Sequence, residues 1–163
     1  MRDLLVVFHS MTGGARQMAE AAARGASGEH SVHVTLLRAG AACADDVLRS
    51  EGYIFVTPEN LAAISGVMKD FFDRTYYGVL DRIAGRPYAT LVCAGSDGRN
   101  AVRQIERICT GWRLKPVCEP LIICTHAQTP EAILAPKTIA AEDLRRCEEV
   151  GTAMAAGLAM GIF

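Results

Sequence analysis

The chain has 163 residues, half of them hydrophobic and 21% charged, a balance that suits one globular domain with a sizeable core and excludes a disordered segment. Its formal net charge of −1 gives no general attraction to nucleic acid or to an anionic membrane, and no acidic field for steering redox partners from a distance. The most apolar stretch, Val150 to Phe163, has 14 residues, against the roughly 20 a transmembrane helix requires.

Met1-Arg2-Asp3 leads straight into a short apolar run with no small-residue cleavage site, so no signal peptide is read and a cytoplasmic protein is expected. The six cysteines (Cys43, Cys93, Cys109, Cys118, Cys124, Cys147) form no C-x-x-C pair, and no histidine stands at zinc-finger spacing. Most of them read as small buried hydrophobes of a reducing compartment, with no metal site. Cys93 alone ends a predicted strand close to the loops described below.

Leu4 to Phe8 is a continuous aliphatic run, the pattern of a strand buried on both faces. Gly14 to about Gly25 is alanine-rich with helical spacing, and Ser31 to Leu37 alternates as a second strand. A short helix around Asp45 to Arg49 precedes a third strand, Tyr53 to Val56, which Thr57 and Pro58 are expected to stop. Glu59 to Ala63 reads as a loop. The helix beyond it, ending near Gly78, is expected to bury Val67, Phe71 and Phe72. Tyr88 to Cys93 makes a fourth strand, and a helix ending at Gly111 buries Val102, Ile105, Ile108 and Cys109. The fifth strand lies in Leu114 to Cys124, its core at Leu121 to Cys124. Thr125 to Lys137 is irregular, and Ile139 to Met160 is a last helix. Trp112, Tyr76 and Tyr77 read as packing residues, and His9 as a satisfied structural histidine.

Strand and helix thus alternate five times. Right-handed crossovers then give a five-stranded parallel sheet with helices on both faces, an α/β three-layer sandwich in one domain over residues 1–163. Ligands of such sheets bind beyond the carboxyl ends of the strands, where strand order reverses. Three strand ends carry small-residue loops there. Ser10, Met11, Thr12, Gly13, Gly14 and Ala15 lead into a helix N-terminus, whose unpaired N–H groups and positive dipole end favour a phosphate. Thr57, Pro58, Glu59, Asn60 and Leu61 follow the third strand, and Ala94, Gly95, Ser96, Asp97 and Gly98 the fourth. Neither G-x-G-x-x-G nor G-x-x-x-x-G-K-[ST] occurs after the first strand, which argues against a nicotinamide Rossmann site and a P-loop NTPase.

Ser10 to Ala15 resembles the FMN phosphate loop of flavodoxins, S/T-x-T-G-x-T. Thr57-Pro58-Glu59, followed by Ser65-Gly66-Val67-Met68-Lys69-Asp70-Phe71-Phe72-Asp73-Arg74, resembles the NADPH-dependent FMN reductases and flavodoxin-like quinone reductases. The resemblance runs through the whole chain and implies a flavodoxin-like sandwich of strand order 2-1-3-4-5. It implies that Ser10, Met11, Thr12, Gly13, Gly14 and Ala15 ring the FMN phosphate, with Arg16 near it. Thr57 to Leu61 would flank the ring, and Ala94 to Gly98 would close its other side. Lys69 and Asp73 would brace their helix against the flavin loop. Ala15 stands where the family has threonine, and Asn60 to Ala63 replace its Tyr-Asn-Gly-Ser, so no aromatic packs on the flavin from this loop.

The flavin carries the redox chemistry, so no residue is singled out as catalytic. The reading taken forward is an oxidoreductase that passes electrons from NAD(P)H through FMN to a quinone, a flavin or a similar small acceptor. A one-electron carrier docking to redox protein partners, and a flavodoxin-like domain with weak or lost flavin binding, stay open beside it. Arg99, Arg103 and Arg107 form a basic stripe read as a solvated helix face paired to Glu106, with the extra phosphate of NADPH as the other use. Small residues on the last helix (Gly151, Ala155, Gly157, Gly161) would allow a homodimer.

Overall fold

Successive residues of a strand point to opposite faces, and both faces of the first strand are apolar, so the chain must cover it from two sides. The computed structural model, which describes residues 1–163, meets that demand. Its elements are β1 (Arg2–Phe8), α1 (Gly14–Ala26), β2 (Val32–Arg38), α2 (Ala44–Arg49), β3 (Gly52–Asn60), β4 (Ala63–Ile64), α3 (Gly66–Val79), β5 (Pro87–Ala94), α4 (Arg99–Gly111), β6 (Lys115–Pro116), β7 (Leu121–Cys124), α5 (Pro130–Leu134) and α6 (Ala141–Met160). The strand order is β2-β1-β3-β5, with β6 and β7 both on the outer edge of β5 and all of these pairs parallel. This is the flavodoxin-like order 2-1-3-4-5, its fifth strand in two pieces. Pro116 and Pro120 bound the break, and neither has an N–H to give to a ladder.

Two hydrophobic clusters of 22 buried residues each lie on the two faces, which makes the sheet the middle of three layers. Leu4, Val6 and Phe8 meet α1 and α6 on one side; Leu5, Val7 and Phe55 meet α2, α3 and α4 on the other. Phe55 is the hub of the second face, with ring centroids 5.0 Å from Phe72 and 6.4 Å from both Phe71 and Trp112. On the first face α1 and α6 cross closely. A Cβ at Gly25 would run into the carbonyl of Glu148, and one at Gly151 into that of Ala22. Gly151, Ala155 and Gly157 are buried within the chain, so three of the four small residues expected to permit a dimer are spent on packing inside it.

Several expectations need correction. Pro58 does not stop the third strand: β3 continues to Asn60, with Pro58 paired to Cys93. The β1 partner of β3 has ended at Phe8, opposite Val56, so beyond that point β3 has a free flank and a missing donor costs nothing. Glu59 to Ala63 is not a loop but a hairpin. Glu59 and Asn60 pair antiparallel with Ile64 and Ala63, joined by Leu61 and Ala62 at φ 51° and 61°. Two left-handed residues suit the twist of a two-residue hairpin, but without glycine each costs about 1 kcal/mol or more. Val67 is exposed while Met68 is buried in its place, and Tyr77 faces solvent. Part of the segment expected to be irregular forms α5, which Thr129 caps by accepting the Ala132 N–H.

Candidate functional site

The ends of β1, β3 and β5 open on one edge of the sheet, and that of β7 opens beside them. The first loop turns at Gly13, whose φ of 95° is a left-handed conformation that glycine adopts without strain. Its N–H is held by the Ser10 hydroxyl at 3.0 Å. The first intrahelical bond of α1 runs from the Gln17 N–H to the Gly13 carbonyl, so the N–H groups of Gly14, Ala15 and Arg16 have no partner within the helix. No acidic residue stands in the first turn to fill that role. Gly14 lets the loop settle onto the end of β5, where a Cβ would stand 2.6 Å from the Cys93 sulfur.

Together these strand ends enclose a cleft of about 570 Å³, within the range of small-molecule and cofactor sites. Of the residues expected there, Ser10, Met11, Thr12, Gly14, Ala15, Pro58, Glu59, Asn60, Leu61, Ala94, Gly95 and Ser96 line it. Gly13 lines an adjoining pocket on the other side of the loop. Three expected residues lie outside both linings. Thr57 is fully buried, its hydroxyl donating to the Pro58 carbonyl and accepting the Ser65 N–H. Asp97 is a turn residue whose carboxylate accepts from the Arg99 guanidinium at 2.6 Å, and that pair lowers its pKa. Gly98 is the residue before α4, packed on Ile122 and Ala94.

The chain past β7 supplies a wall that the sequence reading missed: Thr125, Ala127, Gln128, Ile133, Leu134 and Lys137 all line the cleft. Its position straight after a strand end, at the same edge, was the available signal. Gln17 ties this wall to the phosphate loop. Its side-chain amide donates to the carbonyls of Gly13 (2.9 Å) and Lys137 (2.7 Å) and accepts the Ile139 N–H (3.0 Å). The Lys137 N–H also reaches the Thr12 carbonyl.

The hairpin wall is braced from α4, not from α3. Asn100 donates to the Ala62 carbonyl, and Gln104 accepts the Ile64 N–H at 2.9 Å. Lys69 and Asp73 do pair, at 2.7 Å, but both are exposed along α3 and their side chains hydrogen-bond only to each other. Arg99 pairs with Asp97, not Glu106. His9 is not satisfied: its Nδ1 is buried without a partner, and its pKa is lowered by burial and then by the charge of Arg38. Burial pushes the Cys93 thiol up to about 11, so at neutral pH the floor of the cleft holds a thiol and not a nucleophilic thiolate.

The cleft therefore joins a helix end with unpaired N–H groups to a lining that includes Met11, Leu61, Ala94, Ile133 and Leu134. An apolar group carrying a phosphate matches that donor set and that lining.

Residues 5–128 match the family model described as NADPH-dependent FMN reductase. The chain belongs to that family. Among curated relatives it is similar to a protein named flavodoxin from Aquifex aeolicus, 33% identical over 59% of this chain and 50% of that one. It is also similar to one named NAD(P)H dehydrogenase (quinone) from Acidithiobacillus ferrooxidans, 33% identical over 46% of this chain and 48% of that one. The match thus spans about half the length of each relative. Among solved structures, an archaeal flavodoxin superposes with a TM-score of 0.79 over 96% of this chain and 99% of its own, at 19% identity, a likeness of fold. No helix is long and apolar enough to cross a membrane.

Proposed function

We propose that this chain binds FMN in the cleft and passes electrons from NAD(P)H to a quinone, a flavin or another small flat acceptor. One observation carries the reading: Gly14 and Ala15, whose N–H groups have no partner within the helix, line the same cleft as the apolar residues of the β3–β4 hairpin and the 125–137 wall. Ser10, Thr12 and the N–H groups of Gly14 and Ala15 would hold the phosphate, with Gly13 supplying the turn. Pro58 to Leu61 and Ala94 to Ser96 would flank the ring. FMN held there would supply hydride acceptance and one- or two-electron release, chemistry that no side chain here supplies. The protein would orient the group. Met11, Leu61, Ile133 and Leu134, all exposed, form an apolar rim over the slot, and Cys93 beneath it stays a neutral thiol.

The same rim also suits contact with a redox protein, and one relative is named flavodoxin, so a one-electron carrier is the second reading. The visible spectrum of the purified protein with FMN, then with NADPH or NADH and a quinone, separates the readings. Tight FMN binding, bleaching by the nucleotide and recovery on adding quinone are expected. FMN-loaded protein that neither nucleotide bleaches overturns the enzyme reading and leaves the carrier. A protein that binds no FMN overturns both.

A further inference from the structure

On the other side of the phosphate loop lies a second pocket, of about 340 Å³. Ser10, Met11, Thr12 and Leu134 line both cavities, so the two meet along the loop itself. The second pocket adds Arg16 from the first turn of α1, Arg38 from the end of β2, and Pro136. No carboxylate lines it. Arg16 reaches only Glu20 on its own helix, at 4.0 Å. Arg38 forms no ion pair; its guanidinium lies 5.2 Å from the centre of the Phe8 ring. Its uncompensated charge is felt at His9, the adjacent titratable group.

A space of this size holds on the order of ten waters, well beyond what one phosphate needs. Guanidinium forks match phosphate oxygens, and their planes stack on flat rings. Two positive groups in a pocket continuous with a phosphate loop call for a ligand that continues past its first phosphate. Resting on the flavin reading above, we propose that this pocket is the other half of a dinucleotide site, so that the chain takes FAD as well as FMN. The flavin half would occupy the cleft, the diphosphate the loop from Ser10 to Arg16, and the adenylate the pocket beside Arg38. A separate pyridine nucleotide here would set its own diphosphate against the FMN phosphate at one helix end, a like-charge encounter that a single covalent ligand avoids.

The test is calorimetric titration of FMN and of FAD into the full chain and its Arg38→Ala and Arg38→Lys variants, with NADP⁺ titrated into the FMN-loaded forms. Arg38 is exposed and unpaired, so neither substitution threatens the fold. FAD should bind wild type at least as tightly as FMN. Arg38→Ala should weaken FAD on the order of tenfold and FMN less than about threefold, with partial recovery in Arg38→Lys. FMN binding with FAD rejected overturns the proposal and leaves the flavin reading standing. Equal losses for the two flavins overturn it by giving Arg38 to the flavin's own phosphate. Loss of NADP⁺ affinity with FAD unchanged overturns it by giving the pocket to the electron donor. Failure of both flavins to bind wild type removes the flavin reading itself.

Discussion

Replacing Gln17 with alanine should loosen the cleft and the fold together. The side chain makes three hydrogen bonds, to the Gly13 carbonyl, the Lys137 carbonyl and the Ile139 N–H. A typical bond of this kind is worth about 1 kcal/mol net, which sets an upper figure of about 3 kcal/mol. The Gly13 carbonyl also accepts the Gln17 backbone N–H, so losing the side-chain donor there costs little. About 2 kcal/mol remains, from the two groups on the 137–139 segment that are left unpaired at a half-buried position. With a urea dependence of about 2 kcal/mol per molar, the unfolding midpoint should fall by about 1 M. The segment that Gln17 holds carries Lys137 and follows Ile133 and Leu134, so under the proposed function FMN would have to order that wall in the variant. A further cost of about 1 kcal/mol corresponds to roughly fivefold weaker FMN binding. Urea melts with and without saturating FMN measure both effects, because a ligand of the folded state raises the midpoint according to its affinity. Unchanged melts in both conditions would refute the claim that Gln17 joins the two walls.

Ala62→Gly removes a side chain from a left-handed position and should raise stability by up to about 1 kcal/mol, seen as a higher urea midpoint; a lower one would mean that the hairpin is not strained there. Thiol labelling followed by mass spectrometry at neutral pH should modify exposed Cys43 first and leave Cys93 and Cys147 untouched, since burial pushes these two up to about 11 and 12; early labelling of Cys93 would contradict its place at the cleft floor. His9 should make the fold less stable in mild acid. Its folded pKa lies below the ordinary 6.5, so the unfolded chain binds more protons, and stability falls as pH drops from about 6.5 through the folded value. His9→Gln should flatten this part of the stability profile, and an unaltered profile would exclude His9 as its source.

The strand, turn and helix start proposed to hold the phosphate were readable because their signal is local. An apolar run, a small-residue turn and a helix start are contiguous from Val6 to Ala19, and the physics of a helix N-terminus acts within one turn. The residues after the third strand were readable as cleft positions but not as backbone. Pro58 looked like a stop because its missing donor counts only on a flank with a partner, and that flank is free once β1 has ended. Thr57 and Asp97 looked like site residues by type, yet each turns its oxygen to a neighbour: Thr57 to Pro58 and Ser65, Asp97 to Arg99. Lys69 and Asp73 matched the family spacing and do pair, while the brace on the hairpin comes from Asn100 and Gln104, far along the chain.

Sequence alone determined the alternation of strands and helices, the sheet buried on both faces, and the helix end that would receive a phosphate. Each follows from periodicity or from backbone groups a few residues apart. Tertiary structure decided which strand ends share a cleft, that residues 125–137 form its fourth wall, that Gln17 fastens that wall to the first loop, and that Arg38 stands beside Arg16 in a pocket without a carboxylate. These depend on contacts between residues more than a hundred positions apart or on adjacent strands, and such contacts leave no mark in any local run of residues. The first loop ends in helix N–H groups without intrahelical partners by its own local sequence; what lies on either side of it was decided only when the sheet assembled.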